Sequence, residues 1–394
     1  MSERKSIWNG VALVATLGLA AAIAVVAVTR NEPTASPTAS PSPSTASPTA
    51  SHTPGTLNGD GPYIVYASGQ DVFAYDVSSG TSTPLGTLSA RPVPNRSEQP
   101  GRGEIVAVPT GDLSVWMVKR SGMKRVGVIP AATGTGIDGA IVSDDGRRVA
   151  VALQQDPFSV VLFDLRTGKS TEVKRKRPAG YPDGQSLPIG WGLGGTVLYQ
   201  IPTCECDSVD PGLFALDLTS GTSAAVPELK NTLLWGRSTI AQNGQALYYS
   251  TRSPRRCGPN EEGTLAGSCE GPPFTLRRLV AGRSASETLA RSSSASFDPL
   301  AISPDGSLLL VVRVDAATNA QRVELYDATG RRRPALHGVP KDASPVALLS
   351  DGTMILKTRT APFKLFVARN GHAKTIASIT ADDPFELAYL GWLS

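Results

Sequence analysis

The stretch Ser303-Pro304-Asp305-Gly306, Leu308–Val314, Tyr326-Asp327-Ala328-Thr329-Gly330 decides the fold. It reads as a tight turn, an apolar β run, a loop, a second run and a second tight turn. Glycine supplies the positive φ that hairpin turns need, and Asp or Asn accepts hydrogen bonds from its own turn backbone. The first turn recurs as Ser143-Asp144-Asp145-Gly146 and Ser350-Asp351-Gly352, with looser forms at Gln242-Asn243-Gly244 and Gly192-Leu193-Gly194-Gly195. The second recurs as Tyr75-Asp76-Val77-Ser78-Ser79-Gly80, Phe163-Asp164-Leu165-Arg166-Thr167-Gly168 and Leu216-Asp217-Leu218-Thr219-Ser220-Gly221. Apolar runs follow the first turns at Arg148–Leu153, Thr196–Gln200, Ala246–Ser250 and Met354–Lys357.

Counting outward gives seven units, at about 63–88, 103–130, 137–177, 187–229, 232–290, 297–338 and 344–379. Residues 62–394 then hold about 48 residues per unit, close to the roughly 40–50 of a four-stranded propeller blade. The expected fold is an all-β, seven-bladed β-propeller of four-stranded blades. The first unit lacks an opening strand, and Phe385–Ser394 at the chain end supplies a candidate. Gly391-Trp392 there matches Gly190-Trp191, which stands just before a first turn. Pairing the two ends in one blade closes the ring and removes exposed sheet edges.

The Ser-Pro-Asp-Gly turn with a downstream Asp-x-x-[Ser/Thr]-Gly turn resembles the TolB-like, WD40-like periplasmic propellers. The unit at 297–338 fits that motif well, and the other units are degenerate. The Gly-His and Trp-Asp signature of intracellular WD40 repeats does not occur. The resemblance implies an extracytoplasmic binding scaffold and transfers no catalytic residue. Such propellers are also found attached to hydrolases and sensor systems.

Upstream, Ile7–Val28 has no charged residue, whereas Glu3, Arg4 and Lys5 precede it and Arg30 follows. A helix of that length reaches roughly 33 Å, enough for a bilayer core. A cleaved signal peptide would carry a shorter apolar region. No Cys follows to carry a lipid. The expectation is therefore that 1–30 is an uncleaved signal anchor, a single transmembrane helix with the rest outside the cytoplasm. Residues 31–61 are expected to be a disordered stalk, rich in Pro, Ser, Thr and Ala with no large apolar side chains over 33–56 to offset the entropy of folding. The stretch 33–56 reaches up to about 75 Å in an extended proline-rich form. Arg outnumbers Lys by 27 to 11, which fits a high-GC bacterium. The expected location is the bacterial cytoplasmic membrane, single-pass, with the propeller at 62–394 on the extracytoplasmic side.

Composition narrows the chemistry. A formal charge of +4 is too small a surplus to argue for nucleic acid, and none is expected as a partner. Three histidines leave little for metal sites or triads. His52 lies in the stalk, and His337 and His372 read as surface or structural residues. Gly134-Thr135-Gly136-Ile137-Asp138-Gly139 spells a dinucleotide motif, but the following Ala140–Ser143 runs into a β turn rather than the helix that motif requires. The pairs Glu261-Glu262, Asp382-Asp383 and Asp207/Asp210 lie in loops, as ordinary solvated carboxylates do. The basic runs Lys174-Arg175-Lys176-Arg177 and Arg331-Arg332-Arg333 fall on outer strands, where charge protects an edge from aggregation. Trp191, Trp235 and Trp392 read as packing between blades. No catalytic, metal or cofactor-binding residue is assigned.

The four cysteines are Cys204, Cys206, Cys257 and Cys269. An even number in an oxidising compartment reads as two disulfides. Bonds joining 204/206 to 257/269 rank slightly above a local 257–269 pairing, because a Cys204–Cys206 ring would be strained. Zinc is the rival. The reading that follows is a membrane-anchored, non-catalytic binding or scaffold module for a protein or cell-envelope ligand, held by loop face or funnel. The alternatives are a funnel-site hydrolase or lyase acting on a glycan or lactone, and a sensor ectodomain with a separate membrane partner.

Overall fold

Each repeat unit folds as an antiparallel meander whose side chains alternate between two faces. The computed structural model describes residues 56–57, 61–93, 103–131, 135–143, 147–153, 159–175, 187–200, 213–226, 240–242, 245–255, 269–283, 285–303, 305–333, 343–349, 351–369 and 372–393. The expected anchor at 1–30 and most of the expected stalk at 31–61 lie outside these residues; the stalk expectation runs too far at its end, because Leu57 is buried in the cluster shared by the first two repeat units and its amide donates to the Arg120 carbonyl. Among the described residues no helix is long and apolar enough to cross a membrane.

Among the described residues, twenty-six strands form seven sheets. Blade one contains β1 (Tyr63–Ser68), β2 (Asp71–Asp76) and β3 (Ser82–Thr87). Blade two contains β4 (Val106–Pro109), β5 (Ser114–Lys119) and β6 (Gly122–Val128). Blade three is β7 (Ile137–Val142), β8 (Arg148–Leu153), β9 (Ser159–Asp164) and β10 (Ser170–Lys174). Blade four is β11 (Leu187–Trp191), β12 (Val197–Gln200), β13 (Leu213–Leu216) and β14 (Ser223–Ala225). Blade five is β15 (Ile240–Gln242), β16 (Ala246–Arg255), β17 (Cys269–Val280) and β18 (Glu287–Ser292). Blade six is β19 (Ala295–Ile302), β20 (Leu308–Asp315) and β21 (Gln321–Asp327). Blade seven is β22 (Ala343–Leu348), β23 (Met354–Thr358), β24 (Phe363–Arg369) and β25 (His372–Ile379). The last strand, β26 (Leu387–Leu393), pairs with β1 and becomes the first strand of blade one.

Five sheets thus have four strands and two have three among the described residues. In both three-stranded sheets a single bridge marks the fourth place. Pro92 bridges Thr110 beside β4, and Arg332 bridges Tyr326 beside β21. The second unit therefore reaches back to Pro92, ahead of the 103 expected from the repeat count.

Among the described residues, seven apolar clusters hold the ring, one for each pair of neighbouring blades. The period of two along a strand sends alternate residues to opposite neighbours. From β1, Tyr63, Val65 and Ala67 enter the cluster with Val106 and Val108 of blade two. Ile64 and Tyr66 enter the cluster with Ile355 and Leu365 of blade seven. The closing strand behaves likewise, with Leu387 on the blade-seven side and Leu390 and Leu393 on the blade-two side.

Bulges recur at matching places. Five first strands carry one extra residue, at Asp138, Ile189, Leu300, Val346 and Leu390. Pro188, Pro299 and Pro345 precede three of them. Proline removes an N–H, which is tolerated at a bulge on an edge strand. Four fourth strands carry an apolar extra residue, at Leu85, Val126, Leu289 and Ile376.

The second-turn glycines meet these fourth strands. Gly330 has φ 82°, and a Cβ there would lie 2.8 Å from the carbonyl oxygen of Leu289 in blade five. Gly221 has φ 67°, and its Cβ would lie 2.7 Å from the carbonyl oxygen of Lys174 in blade three. Glycine is required here twice, for the left-handed backbone and for the approach of the preceding blade. Gly330→Ala should therefore destabilise by at least about 1 kcal/mol more than Gly282→Ala. Gly282 shares the positive φ, so both lose the same roughly 1–2 kcal/mol of left-handed strain, but it faces open space. Paired urea titrations measure the difference, and equal losses would refute the inter-blade contact.

Candidate functional site

The two faces of the ring are built differently. First and second turns of a blade emerge on one face and bond to each other: the amides of Val77, Leu165 and Ala328 donate to the carbonyls of Pro62, Arg147 and Ser307. The turn aspartates are engaged by their own backbone, as expected. Asp164 Oδ1 accepts from the amides of Arg166 and Thr167 at 3.0 and 2.7 Å. Asp217 accepts from Thr219 and Ser220 at 2.9 and 2.7 Å. Hydrogen bonds from Thr167 hold the Asp164 carboxyl below its usual range, and those from Ser220 do the same for Asp217. The opposite face carries the connections between second and third strands and those between blades.

On that second face, blade six holds a cleft of about 180 Å³ lined by Arg313, Asp315, Thr318, Arg322, Glu324 and Arg332, among others. Arg313 of β20 stands opposite Arg322 of β21, and Val311 stands opposite Glu324. Arg322, Glu324 and Tyr326 alternate onto one face of β21. Val311 and Tyr326 belong to the cluster shared with blade five, so this face turns toward blade five. It is apolar near the turns and becomes polar toward the loop end.

Glu324 is 3% exposed. Burying a carboxylate is unfavourable unless it is paired and hydrogen-bonded. Tyr326 Oη donates to Oε2 at 2.7 Å, while Arg332 Nη2 and Arg313 Nη1 lie 3.4 and 3.8 Å from Oε1. Burial, reinforced by Glu324, pushes the Tyr326 hydroxyl well above its ordinary range and keeps it a donor. Asp315 Oδ1 accepts from the Ala317 and Thr318 amides and the Thr318 hydroxyl.

Two other polar groupings join elements. At the seam, Arg91 pairs with Asp383 at 2.9 Å and with Glu386, and Lys357 Nζ donates to the carbonyls of Pro384 and Leu387. Between blades five and six, Arg278 donates to Glu287 Oε2 at 2.6 Å and to the Ala328 carbonyl at 2.5 Å.

Several expectations meet these facts. The Arg331–Arg333 run is more than edge charge, because Arg332 pairs with Glu324, and Arg331 and Arg333 lie 3.6 and 3.8 Å from Asp327. Arg175 is buried, with its guanidinium 5.5 Å from the Tyr199 ring centroid. The expectation of outer-edge exposure fails there because β10 lies against blade four, whose Phe214 and Tyr199 share a cluster with Val173. Trp191 packs between blades three and four. Ile137, Asp138 and Gly139 of the dinucleotide-like motif begin β7. His372 begins β25 and is exposed. Asp383 caps the turn at Pro384–Glu386. Cys204, Cys206 and Cys257 lie outside the described residues, as do Glu261, Glu262, Asp207, Asp210, Trp235, His52 and His337. Cys269 is described only as the first backbone position of β17, opposite Arg255. The described residues hold no group of three or more His, Cys, Asp or Glu arranged to bind a metal.

No family model and no curated protein matches the sequence. Several solved structures are similar to it. TolB from Acinetobacter baumannii is 14% identical over 86% of this chain and 80% of that chain, with a TM-score of 0.43. An oligogalacturonate lyase in complex with manganese is 12% identical over 76% of this chain and 82% of that one, at 0.49. A chain of a nidogen/laminin complex is 14% identical over 84% of this chain and 98% of that one, at 0.42. At these identities the likeness concerns the fold alone.

The Glu324 site was missed by sequence reasoning. Its signal is a lone acid within the apolar run Val323-Glu324-Leu325-Tyr326. Replacing it leaves two cations facing the blade-five interface. Because both arginines are partly exposed, Glu324→Ala should destabilise by about 1–3 kcal/mol, below the roughly 3–5 of a fully buried pair. Tyr326→Phe should lose about 1–2 kcal/mol. Double-mutant-cycle denaturation measures the coupling, and additive losses would show that the hydroxyl and carboxylate are independent.

The first-turn acid Asp112 gives a pH prediction. Burial works against its charge, yet hydrogen bonds from Thr110, Ser89 and Ser114 outweigh it and bring the pKa from 3.8 to about 2. The folded pKa lies below the unfolded one. Its contribution is therefore complete above about pH 4 and is lost as pH falls toward 2. The stability gap between wild type and Asp112→Asn should narrow between pH 6 and pH 3. A gap that stays constant would contradict the assignment.

Proposed function

We propose that this chain is a membrane-anchored extracytoplasmic propeller, acting as a non-catalytic binding or scaffold module for a protein or cell-envelope ligand. The observation that supports it best is the division between the two faces. One face is pinned by the second-turn aspartates Asp164, Asp217 and Asp327, whose oxygens are engaged by their own backbone. The other carries the longer connections and the blade-six cleft. Rigid frames with variable loops on one side are suited to recognition. In the cleft, both Glu324 oxygens are engaged by Tyr326 and arginine, an arrangement that fixes positive donors rather than a free general base.

The membrane part of the reading rests on the uncharged Ile7–Val28 segment and the stalk.

Two measurements on the full chain in its native cells test this. Protease added to intact spheroplasts should remove the propeller and leave a small membrane stub; complete protection would reverse the orientation. A photo-crosslinking residue at exposed Ala317, in the β20–β21 hairpin, should give a discrete adduct that one at exposed Arg166, on the turn face, does not. No adduct from the loop face would defeat the binding reading.

A further inference from the structure

Resting on that reading, we infer that the blade-six cleft receives a single carboxylate side chain, glutamate or aspartate, from a partner protein. Three guanidiniums, those of Arg313, Arg322 and Arg332, line the cleft against two carboxylates, Glu324 and Asp315. The local balance is one positive charge. A singly charged group matches that surplus, whereas a phosphate dianion overshoots it and meets the buried Glu324 carboxylate.

Donor count leads to the same group. Each guanidinium offers five N–H donors in a planar fork that fits a carboxylate. Within the site, Glu324 Oε1 faces Arg313 and Arg332, and Ser292 Oγ accepts from Arg313 at 3.3 Å. Asp315 is turned toward the hairpin backbone at Ala317 and Thr318. The arginine donors therefore exceed the acceptors the cleft supplies.

Glu324 orients rather than blocks. It is held from behind by Tyr326, and it draws Arg313 and Arg332 to one side of the space. Arg322, two register pairs from Glu324 along β21 and opposite Arg313, is exposed at the mouth. The space of about 180 Å³ far exceeds the roughly 10–15 Å³ that one water needs. It suits one side chain better than an extended polymer, which would need a groove crossing several blades.

The test titrates the full chain in nanodiscs with N-acetyl-glutamate amide, N-acetyl-glutamine amide, glucuronate and inorganic phosphate, read by ligand-observed NMR. The glutamate compound should bind in the millimolar range, and its neutral isostere should bind at least about tenfold more weakly. Arg322→Gln, with an unchanged melting curve, should weaken the glutamate compound by a similar factor and reduce the Ala317 adduct. Tighter binding of phosphate or glucuronate would overturn the side-chain assignment. No glutamate binding, or an Ala317 adduct indifferent to Arg322→Gln, would overturn the cleft as the contact while leaving the binding reading standing. Loss of the adduct from wild type itself would instead strike the reading on which this rests.

Discussion

Every blade depends on the apolar layer it shares with its neighbours. An isolated antiparallel sheet of this size would have two faces to cover and no partner for either. Here the central strands are apolar on both faces, as in β20, where Leu309 and Val311 turn to blade five and Leu310 to blade seven. No blade has a core of its own, so the ring must close for any of them to be complete. That requirement explains why the C-terminal strand is built like the others. Leu387, Leu390 and Leu393 are divided between the two flanking clusters, and the seam is apolar on both sides.

The turns translate this packing into a fixed geometry. An aspartate bonded to two amides of its own turn holds the hairpin in one shape, and the glycine that ends it presents bare backbone to the preceding blade. The bulges serve the same end. Leu289 is the extra residue of β18, its side chain joins the blade-five and blade-six cluster, and its carbonyl is the atom Gly330 approaches. Turn chemistry and blade packing are thus a single constraint seen from two strands.

That link decides what the sequence could reveal. Turns are local, so Asp164 to Gly168 and Asp327 to Gly330 announce themselves, and their spacing counts the blades. The pairing of Tyr63–Ser68 with Leu387–Leu393 was legible because one unit lacked a strand that the chain end could supply. The Pro-x-small pattern at Pro188, Pro299 and Pro345 was equally present in the sequence, but its meaning depends on which strand edge is free of a partner. Arg175 and Glu324 could not be placed. Whether a charge on a strand is solvated or buried is set by the neighbouring blade, whose position no local pattern encodes. Composition pointed Arg175 outward, and Tyr199 of blade four draws it in.

Blade six shows how a site can arise from such a ring without altering its frame. Along the blade-five face of β21, Tyr326 belongs to the apolar layer, Glu324 lies at its margin and Arg322 is in solvent. A carboxylate at that margin is tolerated because the tyrosine hydroxyl reaches it from the apolar side and two arginines from the wet side. The same carboxylate gathers guanidiniums that would otherwise spread into water, at a fixed distance from the hairpin tip. A buried acid beside the packing layer thereby organises a cationic mouth above it, and the packing that keeps the ring closed also keeps that mouth in place.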